Sequence, residues 1–137
     1  MRRAMFAALA LVVAACAHPP SPQEIEAQKM EPVPGKAVVY IAQNRFGNFS
    51  ARLRFDDGTQ ITTWPGTFYH WVTTPGTHTI RSNQGNLNAS IRLQVEAGQV
   101  YFVQHFVTGI RGSTTDARLQ QIDDRAGRQL VRANRML

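Results

Sequence analysis

From Lys36 onward, apolar and polar residues alternate in short runs broken by turn signals about ten residues apart, which predicts an all-β chain. Ala37 to Ala42 is a β-rich run. Ser50 to Phe55 alternates, with Ala51, Leu53 and Phe55 facing inward and Arg52 and Arg54 outward, and Asp56-Asp57-Gly58 turns the chain into Thr59 to Trp64. After Trp64-Pro65-Gly66 comes a strand over Thr67 to Thr73, ended by Thr74-Pro75-Gly76, and then one over Thr77 to Ser82. A polar turn at Asn83 to Asn86 leads to Asn88 to Val95, where Ala89, Ile91, Leu93 and Val95 share a face. Gln99 to Val107 is apolar on both faces, as expected of a strand covered on each side. A Gly/Ser/Thr-rich loop from Thr108 to Thr115 precedes a last strand over Arg118 to Ile122.

The period then changes. Asp123 or Asp124 caps a helix from about Arg125 to Arg135, with Ala126, Leu130, Val131 and Asn134 along one stripe. Acids at its start and Arg128, Arg132 and Arg135 further along suit the helix dipole, while Gly127 weakens it by up to about 1 kcal/mol. The expected fold is a small antiparallel β-sandwich of about seven to eight strands with a C-terminal helix, spanning residues 36–137.

The first residues read as an address. Arg2 and Arg3 precede an apolar run from Ala4 to Ala15, which as a helix reaches only about 18 Å, too short to span a bilayer. It closes on Leu11-Val12-Val13-Ala14-Ala15, small residues directly before Cys16, the single cysteine. This resembles the lipobox of bacterial lipoproteins, which implies a signal peptide over 1–15 and acyl chains, palmitate among them, on Cys16. Residue 17 is Ala where Asp is the familiar inner-membrane retention signal of that class, so the resemblance implies the periplasmic face of the outer membrane. Residues 16–35 hold five of the seven prolines, at 19, 20, 22, 32 and 34, and read as a Pro-rich tether. Within it, Ser21-Pro22-Gln23-Glu24 matches a capping box for a short helix to about Met30.

At 137 residues the chain is one ordinary domain, and a single cysteine excludes an internal disulfide and a thiolate metal cluster. The net charge is +6, still positive once Arg2 and Arg3 are removed, and an exported basic protein meets acidic envelope polymers or anionic headgroups, not nucleic acid. Three stretches, Gly35-Lys36-Ala37-Val38-Val39-Tyr40-Ile41, Pro75-Gly76-Thr77-His78-Thr79-Ile80 and Ala97-Gly98-Gln99-Val100-Tyr101-Phe102-Val103, resemble a family of small envelope lipoproteins of a domain of unknown function, with the Pro-Gly-x-His signature of PEGA-type β modules. The resemblance implies a small all-β sandwich and brings no catalytic residue.

No nucleophile elbow, phosphate-cradling glycine loop or His-Glu-x-x-His occurs, so neither a catalytic residue, a metal nor a cofactor is expected. His70, His78 and His105 fall on different strands without a carboxylate at ligand spacing, and Asp56 and Asp57 belong to a turn. Pro75, Gly76 and His78 form a structural corner, with Gly76 at the positive φ of a type II turn. Tyr69 and Trp71 occupy one face of their strand. They pack under the C-terminal helix against Leu130 and Val131, the favoured expectation, or form an exposed binding platform. Arg52, Arg54 and Arg92 are candidates for a basic binding surface. The leading expectation is a non-enzymatic binding or scaffolding module, held to the membrane by the lipid on Cys16 and engaging an envelope protein or polymer. The alternative is a carrier or sensor of a small apolar or lipid ligand, in a pocket between the sheets lined by Phe68, Phe102 and Phe106.

Overall fold

The computed structural model describes residues 18–46, 49–82, 89–110 and 115–137. The expected signal peptide, Cys16, the 83–86 turn and residues 111–114 of the 108–115 loop lie outside them. The elements are α1 (Pro22–Ala27), β1 (Ala37–Gln43), β2 (Ala51–Phe55), β3 (Gln60–Thr63), β4 (Thr67–Thr73), β5 (Gly76–Ser82), β6 (Ala89–Val95), β7 (Val100–Gly109), β8 (Thr115–Ile122), α2 (Asp124–Ala133) and β9 (Arg135–Met136). The chain is mostly β, in two sheets of order β8-β7-β1-β4-β9 and β3-β2-β5-β6.

Two sheets with a C-terminal helix are as expected, but the described residues form nine strands where seven to eight were expected, and the ladders are not all antiparallel. β1 runs parallel to β7, and β9 runs parallel to β4. Alternation fixes which face a residue takes but not which strand lies beside it, so a partner remote in sequence is invisible to it. β1 is buried along its whole length because β4 and β7 flank it and both of its faces are covered. Toward the smaller sheet, Val39, Ile41, Trp71 and Val103 meet Leu53, Phe55, Ile80 and Leu93. Toward the helices, Val38, Tyr40, Phe68 and Phe102 meet Ala27, Met30 and Val131.

α2 starts where Asp123 accepts from the Ala126 N–H at 2.9 Å, an N-cap. Gly127 lies at its closest approach to the sheet. A Cβ built there overlaps the side chain of Phe102, so the glycine is a packing requirement and not only a weak link. Asn134 ends the helix, its side-chain amide donating to the Gln43 carbonyl at 2.7 Å and the Thr67 carbonyl at 3.2 Å, and β9 then joins the edge of β4.

The segment expected as tether is in part a layer of the fold. Ser21 caps α1, Ala27 and Met30 are buried beneath it, and Val33 packs against the same cluster. The Tyr40 hydroxyl donates to the Ala27 carbonyl at 2.6 Å, and burial pushes that phenol up to about 12. Arg128 reaches the Met30 carbonyl at 3.4 Å. Met30 is 1% exposed at a φ of 53°, a left-handed conformation held by burial.

Candidate functional site

β2, β5 and β6 carry their odd or even outward positions onto one open face of the smaller sheet. Arg54 lies directly opposite Arg81 across the β2–β5 ladder, Arg52 opposite Thr62, and Arg92 opposite Thr79. All four arginines are exposed, and among the described residues none has a carboxylate within ion-pair distance. Like charges directly opposed across a ladder are destabilising, so the fold gives up stability to hold Arg54 against Arg81. Beside them runs an open groove of about 410 Å³ bounded by Arg54, Asp56, Thr79 and Arg81. Its one carboxylate is already engaged: Asp56 accepts from His78 Nδ1 at 3.0 Å and from the Thr79 N–H at 3.4 Å. The face thus presents guanidinium donors to an anion. Arg52, Arg54 and Arg92 come together as the sequence placed them. Arg81 was missed, and its signal was available, since it has the outward parity of Thr77 and Thr79 in the same strand.

Tyr69 and Trp71 are corrected on both alternatives. Trp71 is 4% exposed and lies between the sheets, its ring 4.7 Å from that of Phe55 and its Nε1 donating to Asp57 Oδ2 at 3.0 Å. Tyr69 is half-buried against Phe55. The residue beneath the helix is instead Phe68. The strand alternates as expected, but Trp71 lies in the core between the sheets and Phe68 in the core beneath the helices, so Tyr69 and Trp71 do not form a platform. Burial alone would raise the Asp57 carboxyl, but the N–H and side chain of Thr59 and the indole of Trp71 hold it below its ordinary value.

At the Pro75 corner, Gly76 has a φ of 135°. His78 spans the corner, its Nε2 2.8 Å from the Thr74 carbonyl and its Nδ1 on Asp56, with its ring edge-on to Trp71. His70 is elsewhere, stacked on Tyr40 at 5.0 Å, and burial lowers its pKa. His105 is in the interior. The described residues contain no group of three potential metal ligands.

His105 belongs to a network that sequence reading missed. Gln43, Thr63, Ser82 and His105, from β1, β3, β5 and β7, are all fully buried. Thr63 Oγ1 lies 2.8 Å from Gln43 Oε1 and 3.2 Å from the Ala51 carbonyl, both acceptors, so it donates there and accepts from His105 Nδ1–H at 3.0 Å. That leaves His105 Nε2 to accept from the Ser82 hydroxyl at 3.3 Å, a tautomer set by its partners. Burial pushes the His105 pKa down to about 4, in keeping with a neutral ring. A serine beside a histidine is the beginning of a nucleophile–base pair. Here the pair is sealed in the interior, and it joins the two sheets.

Two of the three residues expected to line a carrier's pocket, Phe68 and Phe102, do not lie between the sheets. Phe68 and Phe102 lie on the helix side of the larger sheet, Phe106 shares the parity of Phe102, and the space between the sheets is filled by Leu53, Phe55, Ile80 and Leu93. No helix among the described residues is long and apolar enough to cross a membrane. Comparison of the chain with protein-family models, with curated proteins and with solved structures finds no match in any of the three.

Proposed function

We propose that the protein is a lipid-anchored periplasmic lipoprotein of the outer membrane, similar to the small envelope lipoproteins its motifs resemble, whose domain is a non-enzymatic binding module for an anionic envelope polymer. The observation that supports the module is the uncompensated arginine face, with Arg54 held opposite Arg81 at a cost in stability. The anchor is supported by the small residues before Cys16. The carrier reading has less support, because Phe68 and Phe102, two of its three lining residues, pack toward the helices.

The test of the module is capture of acidic envelope glycans by the full-length protein and by Arg54→Glu/Arg81→Glu, at graded salt, with thermal unfolding as the folding control. Glutamate opposite glutamate keeps like charges opposed across the ladder, so the reversal should leave the unfolding midpoint near that of the parent while abolishing capture. Equal capture by the two proteins refutes the assignment. For the anchor, Cys16→Ser should lose labelled fatty acid and leave the membrane fraction or remain as unprocessed precursor. Unchanged labelling and fractionation refute it.

A further inference from the structure

The large apolar side chains exposed on this protein are not spread evenly. Phe46 is 98% exposed and Trp64 56%, and both project from turns at the end of the fold where β1 stops and β4 begins. β7 runs parallel to β1 and continues past their shared ladder, which sets the exposed Ile110 at the same end. The turns are fixed. The Gly66 N–H donates to the Asn44 carbonyl at 3.3 Å, the Arg135 N–H to the Gly66 carbonyl at 2.9 Å, and Thr67 bonds both backbone groups of Trp64. Arg45 closes the knot on the Ala133 carbonyl. Arg45 adjoins Phe46 in the chain and Arg135 is bonded to the turn that carries Trp64; both share a depression with Arg132, all three are exposed, and the one acid lining it is Glu24. His18, two residues from Cys16, lines that same depression.

We propose that this end of the domain docks on an anionic lipid surface, with Phe46 and Trp64 at the headgroup level and the three arginines on lipid phosphates. Aromatic rings with cations beside them are the composition of a membrane-interface contact, and charge complementarity selects anionic headgroups over neutral ones. The direction of docking rests on the proposed lipid at Cys16, since the chain leaves the domain beside the arginines. The surface itself is a property of the folded domain. Docked in this way, the module stands end-on, with the Arg52, Arg54, Arg81 and Arg92 face turned sideways into the periplasm.

The protein has two tryptophans, and Trp71 is buried, so any lipid-dependent change in emission belongs to Trp64. Purified full-length protein is mixed with vesicles of phosphatidylcholine alone or with one-third phosphatidylglycerol, each with brominated acyl chains. Quenching and a blue shift on anionic vesicles are expected. They should disappear in Trp64→Phe and weaken at least tenfold in affinity in Arg45→Glu/Arg132→Glu. Flotation with neutral vesicles and the mass of the protein report the anchor separately. A protein that carries lipid and floats but leaves Trp64 unquenched overturns the docking and keeps the anchor. One that lacks lipid yet is quenched on anionic vesicles overturns the anchor and keeps the docking. An emission shift that follows protein concentration in the absence of lipid assigns the surface to a second copy of the chain and overturns the proposal.

Discussion

Replacing Gly127 with alanine sets two effects of opposite sign against each other in one residue. In an exposed helix interior the change would stabilise by about 1 kcal/mol, because alanine loses less backbone freedom on folding. At this position the new methyl overlaps the Cβ, Cγ and Cδ2 atoms of Phe102. Phe102 cannot turn aside freely, because its ring is stacked 5.5 Å from Tyr40 and the Arg128 guanidinium lies 5.8 Å above it. The helix must therefore move outward, loosening Val131 and Met30, which share the cluster. Overpacking of this kind costs about 3 kcal/mol, so the net loss is about 2 kcal/mol. For a domain of this size that lowers the melting temperature by about 8 °C. Chemical and thermal denaturation followed by circular dichroism measure it, and Phe102→Leu in the Gly127→Ala background should recover part of the loss by clearing the overlap. A Gly127→Ala protein more stable than the parent refutes the close approach of α2 to the sheet.

Stability should fall as the pH drops from about 6.5 to about 4, since burial holds folded His105 near 4 and the unfolded side chain binds its proton first, a loss of about 3 kcal/mol. His70 is shifted in the same direction, so the slope that vanishes in His105→Gln, read as denaturation midpoints across that range, belongs to the buried network; an unchanged slope refutes the assignment. Met30→Ala should cost about 2–3 kcal/mol in the same assay, whereas a residue of a free tether would cost nothing. Gly76→Val should cost about 1–3 kcal/mol through backbone strain alone, because no atom lies within 4 Å of a Cβ built at its φ of 135°, and an unmoved midpoint would contradict that conformation.

The strands, their inward and outward residues and the Asp123 cap were legible because each depends on neighbours a few positions away: alternation sorts the faces of a strand, and glycine, proline and aspartate mark its ends. For the same reason Arg52, Arg54 and Arg92 were placed outward without knowing what lay beside them. What lay beside them was decided by pairing between remote strands. The β2–β5 ladder brings Arg81 opposite Arg54, and the parallel β1–β7 ladder carries His105 toward Thr63 and Gln43. Tertiary structure also gave β4 a second buried face, which turned Trp71 from a candidate platform into core. It converted a proline-rich stretch into a layer that covers Tyr40, and it made Gly127 a point of contact. A single side chain reads its own strand or helix through local sterics and hydration, but its worth depends on the atoms that a distant part of the chain places against it.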